Sequence, residues 1–487
     1  MQGSRAPAVD GGKLGPLSTM RTVRPRSGPA DRAGERAVDA RAHRPASRLR
    51  HPHDREILRL ALPAFGALVA EPLFLLADSA IVGHLGTPQL AGLGIAGAVL
   101  ATAVSLCVFL AYGTTASVAR RVGAGDLRAA IAQGVDGLWL AAGLGVLLAT
   151  VGVLAAVPLV EAFDPSAATA GYATTYLRVS ATGLPAMLVV LAATGVLRGL
   201  QDTRTPLVVA TVGAVVNVLL NLALVYGADL GVAGSALGTV LTQVGMAAAF
   251  LVVVVRGART HGAPLRPDLP GIRAAGSAGI PLVVRTATLR AALLVTTYVA
   301  ASIGTVAVAA HQVAFTIWLF LSLALDAVAI AGQAIVGRYL GAGDVDGARS
   351  ATRRMVEWGC AAGVVLGLLV VALRTGYVPF FTPDAEVRDQ LSSVLVVAAL
   401  FQPVCGVVFA LDGVLIGAGD GRYLAWAGAV TLLGYLPLAW LVLATGGGLV
   451  ALWWAFNGFM LARLVTLVWR WRGDAWLVTG AELPRRG

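Results

Sequence analysis

The sequence predicts an all-α integral membrane protein whose roughly twelve transmembrane helices form two pseudo-symmetric six-helix halves. Of the 487 residues, 57% are hydrophobic and 13% are charged, and the mean hydropathy is +0.78. Soluble domains carry roughly 25% charged residues. Apolar segments long enough to cross about 30 Å of hydrocarbon recur along the chain. Motifs of the first half also reappear in the second half, all at one constant offset.

The apolar segments are separated by short polar stretches and show no alternation with a period of two. Helices are therefore the expected form of each membrane crossing. We number the predicted spans 1 to 12 in chain order: 57–83, 90–116, 131–156, 172–197, 206–226, 231–255, 274–302, 307–335, 354–374, 392–416, 424–445 and 449–470.

The segments that flank the spans are polar. Residues 1–54 are rich in Arg, Pro and Ala and contain no apolar stretch, so we expect a disordered basic tail and no signal peptide. Met20 is an alternative start to Met1. Residues 471–487 are predicted to form a second tail at the C-terminus.

The placement of arginine predicts the orientation. Loops after the even-numbered spans carry fourteen arginines and the opposite loops carry three. Because basic loops remain in the cytoplasm, we expect the even loops and both termini to be cytoplasmic, in a multi-pass protein of the plasma membrane. The fourteen are Arg120, Arg121, Arg128, Arg198, Arg204, Arg256, Arg259, Arg266, Arg273, Arg338, Arg349, Arg353, Arg354 and Arg422; the three are Arg178, Arg374 and Arg388.

An internal repeat organises the chain. The stretch Val118–Asp126 reappears as Val336–Asp344, and Gly195–Arg204 reappears as Gly413–Arg422. In both cases the second copy lies the same number of residues after the first, as from 118 to 336 and from 195 to 413. We call this displacement the repeat offset. Six spans in each half make the repeat parallel, related by an axis along the membrane normal. The predicted halves are residues 55–270 and 271–470, with a cavity between them.

Several short motifs carry a family resemblance. They are the Ala77–Gly86 stretch in span 1, the Gly-Ala-Gly-Asp loops, Asn217–Asn221, and the span 8 segments around His311 and Asp326. In this order and spacing, they resemble the MATE (multidrug and toxic compound extrusion) transporters, in the DinF-like branch that includes plant citrate exporters. The resemblance implies a V-shaped pair of six-helix bundles and export driven by H⁺ or Na⁺ through alternating access.

Ionisable residues inside a span are costly and indicate function. Asp78 in span 1 is the strongest candidate for cation coupling, and Glu71 lies seven residues earlier on the same helix face. A carboxyl group there could bind a proton on one side and release it on the other. By resemblance, Asn217, Asn221 and Thr239 belong to the network around Asp78. Archaeal members have an aspartate where this chain has Asn221, which favours Glu71 as the second acid. Helix–helix hydrogen bonding is the alternative role for the amides.

Pro63 is the predicted hinge of span 1. It lies fifteen residues before Asp78 and lacks the N–H that an unbroken helix needs, so it can kink the helix. The first helix of the family has a proline at this spacing from its aspartate. A proline that the helix simply tolerates is the alternative.

The second half lacks the acid-and-amide set, because Thr296 occupies the position of Asp78. Span 7 instead carries Arg285 and Arg290. We predict a cavity that is acidic on the first half and cationic on the second, where these arginines bind an anionic substrate or pair with Glu71 when the cavity closes. Alternatively, they pair within the second half or extend to water.

Three residues of span 8 complete the predicted substrate cavity: His311, Gln312 and Asp326. A single histidine on an apolar face is often structural, and Asp326 could instead pair with a nearby arginine. These alternatives remain open at the sequence level.

No enzyme signature is present. Lys13 is the only lysine, so a Walker motif is excluded, and Cys107, Cys360 and Cys405 lie far apart without metal-ligand spacing. We therefore expect a secondary exporter of small organic compounds that contacts membrane lipid and a small-molecule substrate, binds no nucleic acid and needs no metal or cofactor. Its coupling ion would be H⁺ more readily than Na⁺. The alternatives are a lipid-linked precursor flippase and an organic-anion (citrate-like) exporter.

Overall fold

A computed structural model describes residues 52–482, and every regular element within them is a helix. Of the predicted tail at residues 1–54, the part up to His51 lies outside the described residues. Its last three residues are helical instead, because the first helix begins at Pro52. The alternative start at Met20 also lies outside them.

Ten of the described helices are long and apolar enough to cross a membrane, and two bent pairs bring the number of spans to twelve, as predicted. Span 1 is Pro52–Gly83; span 2, Thr87–Cys107 with Phe109–Gly123; span 3, Leu127–Leu154; span 4, Ala167–Ala181 with Leu184–Gly199; span 5, Arg204–Leu222 with the π-helix Ala223–Gly227; span 6, Gly231–Thr260; span 7, Leu269–Ile303; span 8, Thr305–Gly341; span 9, Val345–Phe381; span 10, Ala385–Leu400 with Gln402–Gly417; span 11, Gly421–Thr445; span 12, Gly448–Arg472. A short helix, Ala156–Glu161, follows span 3.

Spans 4 and 10 are bent at equivalent positions. Their two helices meet at 52° and 50°, and Pro185 and Pro403 stand in the first turn of the second helix in each case. The repeat offset carries the first proline onto the second. Proline is favoured at a helix start because its missing N–H would have no partner there. The repeat therefore extends to the shape of the helices.

The repeated Gly-Asp pairs are helix boundaries. Gly125 and Gly343 have φ of +80° and +78°, the left-handed conformation that glycine adopts without strain after a helix. Asp126 then accepts a hydrogen bond from the Ala129 amide at 2.8 Å to cap span 3. Asp344 caps span 9 in the same way. The motif thus encodes a tight turn between two spans rather than a binding site.

Spans 2 and 8 cross where these turns begin, and the crossing joins the two halves backbone to backbone. A Cβ atom on Gly123 would overlap the carbonyl of Arg338, and one on Gly341 would overlap the carbonyl of Arg120. The two contacts are related by the repeat. We call the side with the loops after even-numbered spans the inner face, and the opposite side the outer face.

Ion pairs between the halves add to this crossing. The Arg354 guanidinium lies 2.5 Å from Asp54 at the start of span 1, and the Trp358 indole donates to the same carboxylate at 2.9 Å. Arg338 pairs with Glu56, two residues further along span 1. Among residues 52–482, the described side-chain hydrogen bonds and ion pairs that join the halves all lie at the inner face. The halves are therefore fastened at that face.

Candidate ion-coupling site

Asp78 lies in a polar cluster formed by four spans of the first half. Its side chain is 3% exposed. One carboxylate oxygen accepts hydrogen bonds from the Asn221 amide at 2.8 Å and from the Ser235 hydroxyl, and the other accepts from the Tyr176 hydroxyl at 3.1 Å. The three donors come from spans 5, 6 and 4. All three are uncharged, so these contacts hold the carboxyl group without a cation.

A second set of hydrogen bonds supports these donors. The Asn221 amide nitrogen also donates to the Asn217 side-chain oxygen at 3.2 Å, and Asn217 donates to the Thr239 hydroxyl at 3.3 Å. The Asn221 side-chain oxygen is buried without a hydrogen-bond partner in the described part of the chain. The structure thus brings together four of the five residues predicted for cation coupling.

Two backbone features make room for this cluster. A Cβ atom on Gly238 of span 6 would overlap the Asn221 side-chain oxygen, so glycine permits the amide to reach Asp78. Directly after Asn221, span 5 widens into the π-helix Ala223–Gly227. From that segment the Tyr226 hydroxyl donates to the Ile81 carbonyl at 2.7 Å. π-Helical turns are frequent at functional sites because they redirect side chains.

Glu71 is not part of the cluster. It shares a helix face with Asp78 but lies two turns, about 10.5 Å, away along span 1. Its side chain is exposed, whereas that of Asp78 is buried. Its role as a second acid stays a prediction. Span 1 is a single helix that continues through Pro63, and the hinge role of Pro63 likewise stays a prediction.

Two members of the cluster were missed from the sequence. Ser235 precedes Thr239 by four residues, so both project from one face of span 6. That spacing was a usable signal. Tyr176 lies between Thr175 and Leu177 of span 4, and no motif or spacing there marks it as a partner of Asp78. Only the folded arrangement shows that its hydroxyl reaches Asp78.

Comparison with known proteins identifies the chain. The model of the MatE family matches residues 63–223 and again residues 281–441, two segments that are themselves related by the repeat offset. The chain belongs to the MATE family. It is therefore an efflux transporter rather than an enzyme, and a multi-pass membrane protein, as its composition indicates. The DinF-like resemblance is also confirmed by its relatives.

Two curated relatives and one solved structure illustrate the match. Protein DETOXIFICATION 44, chloroplastic, of Arabidopsis thaliana is 32% identical over 85% of this chain and 81% of its own length. DNA damage-inducible protein F of Escherichia coli is 29% identical over 87% and 94%. A multidrug resistance MATE family transporter solved in an outward-facing conformation superposes with a TM-score of 0.80 and 23% identity, over 86% of this chain and 96% of its own. The V-shaped MATE fold is thereby established.

In this MATE chain, Arg285 is held inside the second half. Its side chain donates to Asp412 at 2.6 Å, and Arg463 of span 12 donates to the same carboxylate oxygen. In this structure Arg285 therefore pairs within the second half, as in the local alternative, and its pairing with Glu71 on closure of the cavity stays a prediction. No sequence pattern pointed to Arg463, because spans 7, 10 and 12 meet only in the fold.

The other residues predicted for the substrate cavity are dispersed. Arg290 and Gln312 are exposed. His311 is fully buried, with its ring nitrogen 3.2 Å from the Thr297 hydroxyl. Asp326 is half-buried and interacts electrostatically with the two guanidinium groups of Arg198 and Arg285. The five predicted residues thus do not form one cluster, and their roles toward substrate stay predictions.

Proposed function

We propose that this MATE-family chain exports small organic compounds in exchange for H⁺, with Asp78 as the coupling group. The observation that carries the proposal is a buried carboxyl group whose hydrogen bonds within residues 52–482 come from three neutral side chains and from no cation. A charge without a counter-ion is costly in a low-dielectric interior. Gain and loss of a proton at such a group can therefore be linked to a change of conformation.

Asp412 provides the contrast within the same molecule. It is also buried, but two guanidinium groups, those of Arg285 and Arg463, hold it as an anion. Such a group has a structural role and little reason to change its protonation. Of these two buried carboxyl groups, Asp78 is the one suited to coupling.

The orientation of the donors favours H⁺ over Na⁺. Sodium is bound by oxygen lone pairs, whereas the groups nearest to Asp78 are an amide nitrogen and two hydroxyls that direct their hydrogens at the carboxylate. The free oxygen of Asn221 is the one amide oxygen in the described cluster that could turn toward a cation. A sodium gradient is therefore included in the test below.

Alternating access agrees with the way the halves meet. The glycine crossing and the described ion pairs between them lie at the inner face, so the structure corresponds to a state that is closed there. To open the inner face, the crossing of Gly123 and Gly341 must separate. We propose that the inner face is cytoplasmic, that both termini lie on that side of the plasma membrane, and that substrate leaves through the outer face.

The placement of the two arginines of span 7 favours neutral or cationic organic substrates over anions. The organic-anion alternative and the flippase alternative both depend on free cationic groups in the cavity. Arg285, one of the two arginines that suggested them, is engaged with Asp412. Only Arg290 of that pair is exposed.

The test is transport by purified protein in liposomes. An ethidium-type organic cation and a carboxylate dye are each offered under a pH gradient, a sodium gradient and no gradient. We expect the pH gradient to drive transport of the cation. Asp78→Asn keeps the size of the side chain and one acceptor oxygen but cannot exchange a proton, so it should reduce pH-driven transport to the level of empty liposomes.

Asp136→Asn is the matched control. Asp136 is another buried carboxyl group of the first half, where it accepts a hydrogen bond from the Asp268 amide at 3.2 Å. An asparagine oxygen can accept the same bond, so this variant should transport normally. Normal pH-driven transport by Asp78→Asn would contradict the coupling role, and transport driven only by sodium would replace H⁺ with Na⁺.

A further inference from the structure

The chain segment after span 12 packs back against the inner face. Residues 473–482 contain no helix, yet Trp476 is only 1% exposed and its indole donates to the Trp471 carbonyl at 3.0 Å. Trp476 belongs to an apolar core that consists mainly of residues of the second half. This part of the predicted C-terminal tail is therefore a packed element of the fold.

Arg120 of span 2 fixes the end of this segment. Its side chain is fully buried, and one guanidinium nitrogen donates to the carbonyls of Gly480 and Glu482 at 3.1 and 3.2 Å. The other terminal nitrogen, Nη2, donates to the carbonyls of Val478 at 2.8 Å and Ala418 at 2.7 Å. Three of the four acceptors thus belong to the C-terminal segment, and they stabilise the charge in place of a carboxylate.

The segment connects the two halves. While its carbonyls bind Arg120 of the first half, the Gly480 amide donates to the Leu340 carbonyl of span 8 at 3.1 Å. Glu482 adds an ion pair with Arg121 at 3.8 Å. The contacts lie beside the crossing of Gly123 and Gly341, where the halves touch. The segment therefore spans the joint that must open in an inward-facing state.

The internal repeat explains why a segment is needed here. The counterpart of Arg120 is Arg338, which pairs with Glu56. The repeat offset places Ala274 at the position equivalent to Glu56. Arg120 consequently has no carboxylate at the equivalent position, and carbonyls of the C-terminal segment supply the missing acceptors.

A cavity marks the same asymmetry. A space of about 470 Å³ lies between spans 2, 3 and 7, and Ala274, Ala278 and Gly137 are among the small residues that line it. Trp476 and Val478 line the cavity from the C-terminal side. The counterparts of the three small residues in the other half are larger, namely Glu56, Leu60 and Met355. The segment thus covers an opening that side chains fill on the other side of the repeat axis.

We propose that residues 473–482 are a C-terminal strap that binds the closed inner face and detaches when the halves separate. A buried guanidinium that loses its acceptors is costly, so release of the strap destabilises the closed state specifically. In an open state, water can reach Arg120 and replace the carbonyls. This proposal rests on alternating access, but it concerns the balance between two conformations and not the coupling ion.

The test measures that balance directly. Spin labels at Arg128→Cys and Asp346→Cys, two exposed positions related by the repeat at the inner ends of spans 3 and 9, report the separation of the halves. The full chain is compared with a chain that ends at Arg472, after the three native cysteines are replaced. Without substrate or gradient, we expect the truncation to raise the ratio of open to closed populations roughly tenfold, within the usual range of conformational coupling. A peptide of residues 473–487 should reverse the change.

A second variant detaches the strap without shortening the chain. Gly480 has φ of +124° and donates its amide to Leu340, and proline can supply neither that φ nor an N–H. Gly480→Pro should therefore open the inner face as the truncation does. If the truncated chain does not fold, this variant alone tests whether the strap stabilises the closed state. Thr479→Ala, at an exposed neighbour, and a chain that ends at Glu482 are the controls and should stay closed.

Unchanged distances between the spin labels, both in a folded truncated chain and in Gly480→Pro, would overturn the strap proposal. Asp78→Asn separates this proposal from the proposed function. If Asp78→Asn transports normally while the truncation opens the inner face, the coupling role of Asp78 fails and the strap stands. If Asp78→Asn abolishes pH-driven transport while distances stay unchanged in both strap variants, the strap fails and the coupling role stands.

Discussion

The cluster around Asp78 and its counterpart in the second half occupy equivalent places in the repeat but differ in chemistry. Asp78 corresponds to Thr296 and Asn217 corresponds to Tyr435. In the second half these two residues form one contact, with their hydroxyl groups 2.7 Å apart. Both are buried, as Asp78 and Asn217 are. Both halves thus bury polar side chains at these two positions, but only the first half has an acid there, and Asp78 bonds to Asn221 instead of Asn217.

Aromatic side chains fill the space around the second contact. The Tyr435 ring lies 5.6 Å from Phe459 and 6.5 Å from Phe456, measured between ring centroids. Asn457, the counterpart of Thr239, donates to the Trp453 carbonyl of its own helix at 2.9 Å. The second half therefore has a packed core where the first half has a hydrogen-bonded network. A duplicated backbone can hold both, because helix packing depends on residue volume more than on polarity.

The two halves also differ in how they hold a buried carboxyl group. Asp412 lies between two guanidinium groups, whereas Asp78 receives its described hydrogen bonds from neutral donors. The two guanidinium groups fix the negative charge of Asp412, whereas the neutral donors leave Asp78 able to gain and lose a proton. Three experiments probe this difference between the halves and the crossing that they share.

Asp412→Ala should have the largest effect. It leaves Arg285 and Arg463 buried without their acceptor, and removal of one partner from a buried ion pair costs about 3–5 kcal/mol. We expect the free energy of unfolding in detergent to fall by that amount. Asp78→Asn, which removes no counter-ion, should change it by less than about 1 kcal/mol. Equal losses in the two variants would show that the two carboxyl groups are held alike.

Gly123→Ala and Gly341→Ala should have intermediate and similar effects. Each added methyl group overlaps a carbonyl of the opposite half, and such overpacking costs about 1–3 kcal/mol. The closed inner face should become less populated in both, measured with the spin-label pair at positions 128 and 346. Gly143→Ala is the control, since nothing lies within 4 Å of its Cβ position. A change in only one of the two variants would show that the crossing is not symmetric in function.

Tyr176→Phe and Tyr435→Phe should have the smallest effects, and of different kinds. Each removes one buried hydroxyl contact, worth about 1 kcal/mol. Loss of the Tyr176 hydroxyl removes a donor to Asp78 and should lower pH-driven transport several-fold. Loss of the Tyr435 hydroxyl should reduce thermal stability alone. If Tyr435→Phe impairs transport as much as Tyr176→Phe does, the second contact is also part of the coupling machinery.

The sequence predicted the fold closely because its strongest signals are local or periodic. Apolar length defines a span, and the constant repeat offset defines the two halves. The bends of spans 4 and 10 were not predicted, although Pro185 and Pro403 mark them. A proline in a span can be tolerated or can end a helix, and neighbouring helices decide between the two outcomes.

For the site, the sequence by itself identified Asp78 as a costly intramembrane acid and grouped Asn217, Asn221 and Thr239 with it through the family resemblance. Which side chains contact the carboxyl group was decided only in the tertiary structure, where Tyr176 and Ser235 join the cluster and Glu71 does not. Likewise, the pairing of Arg285 with Asp412 and the binding of residues 473–482 by Arg120 link segments that are distant along the chain. The physical reason is that hydrogen bonds and ion pairs act over a few ångströms in space, so chain spacing can state which polar groups are costly to bury but not which partners compensate them.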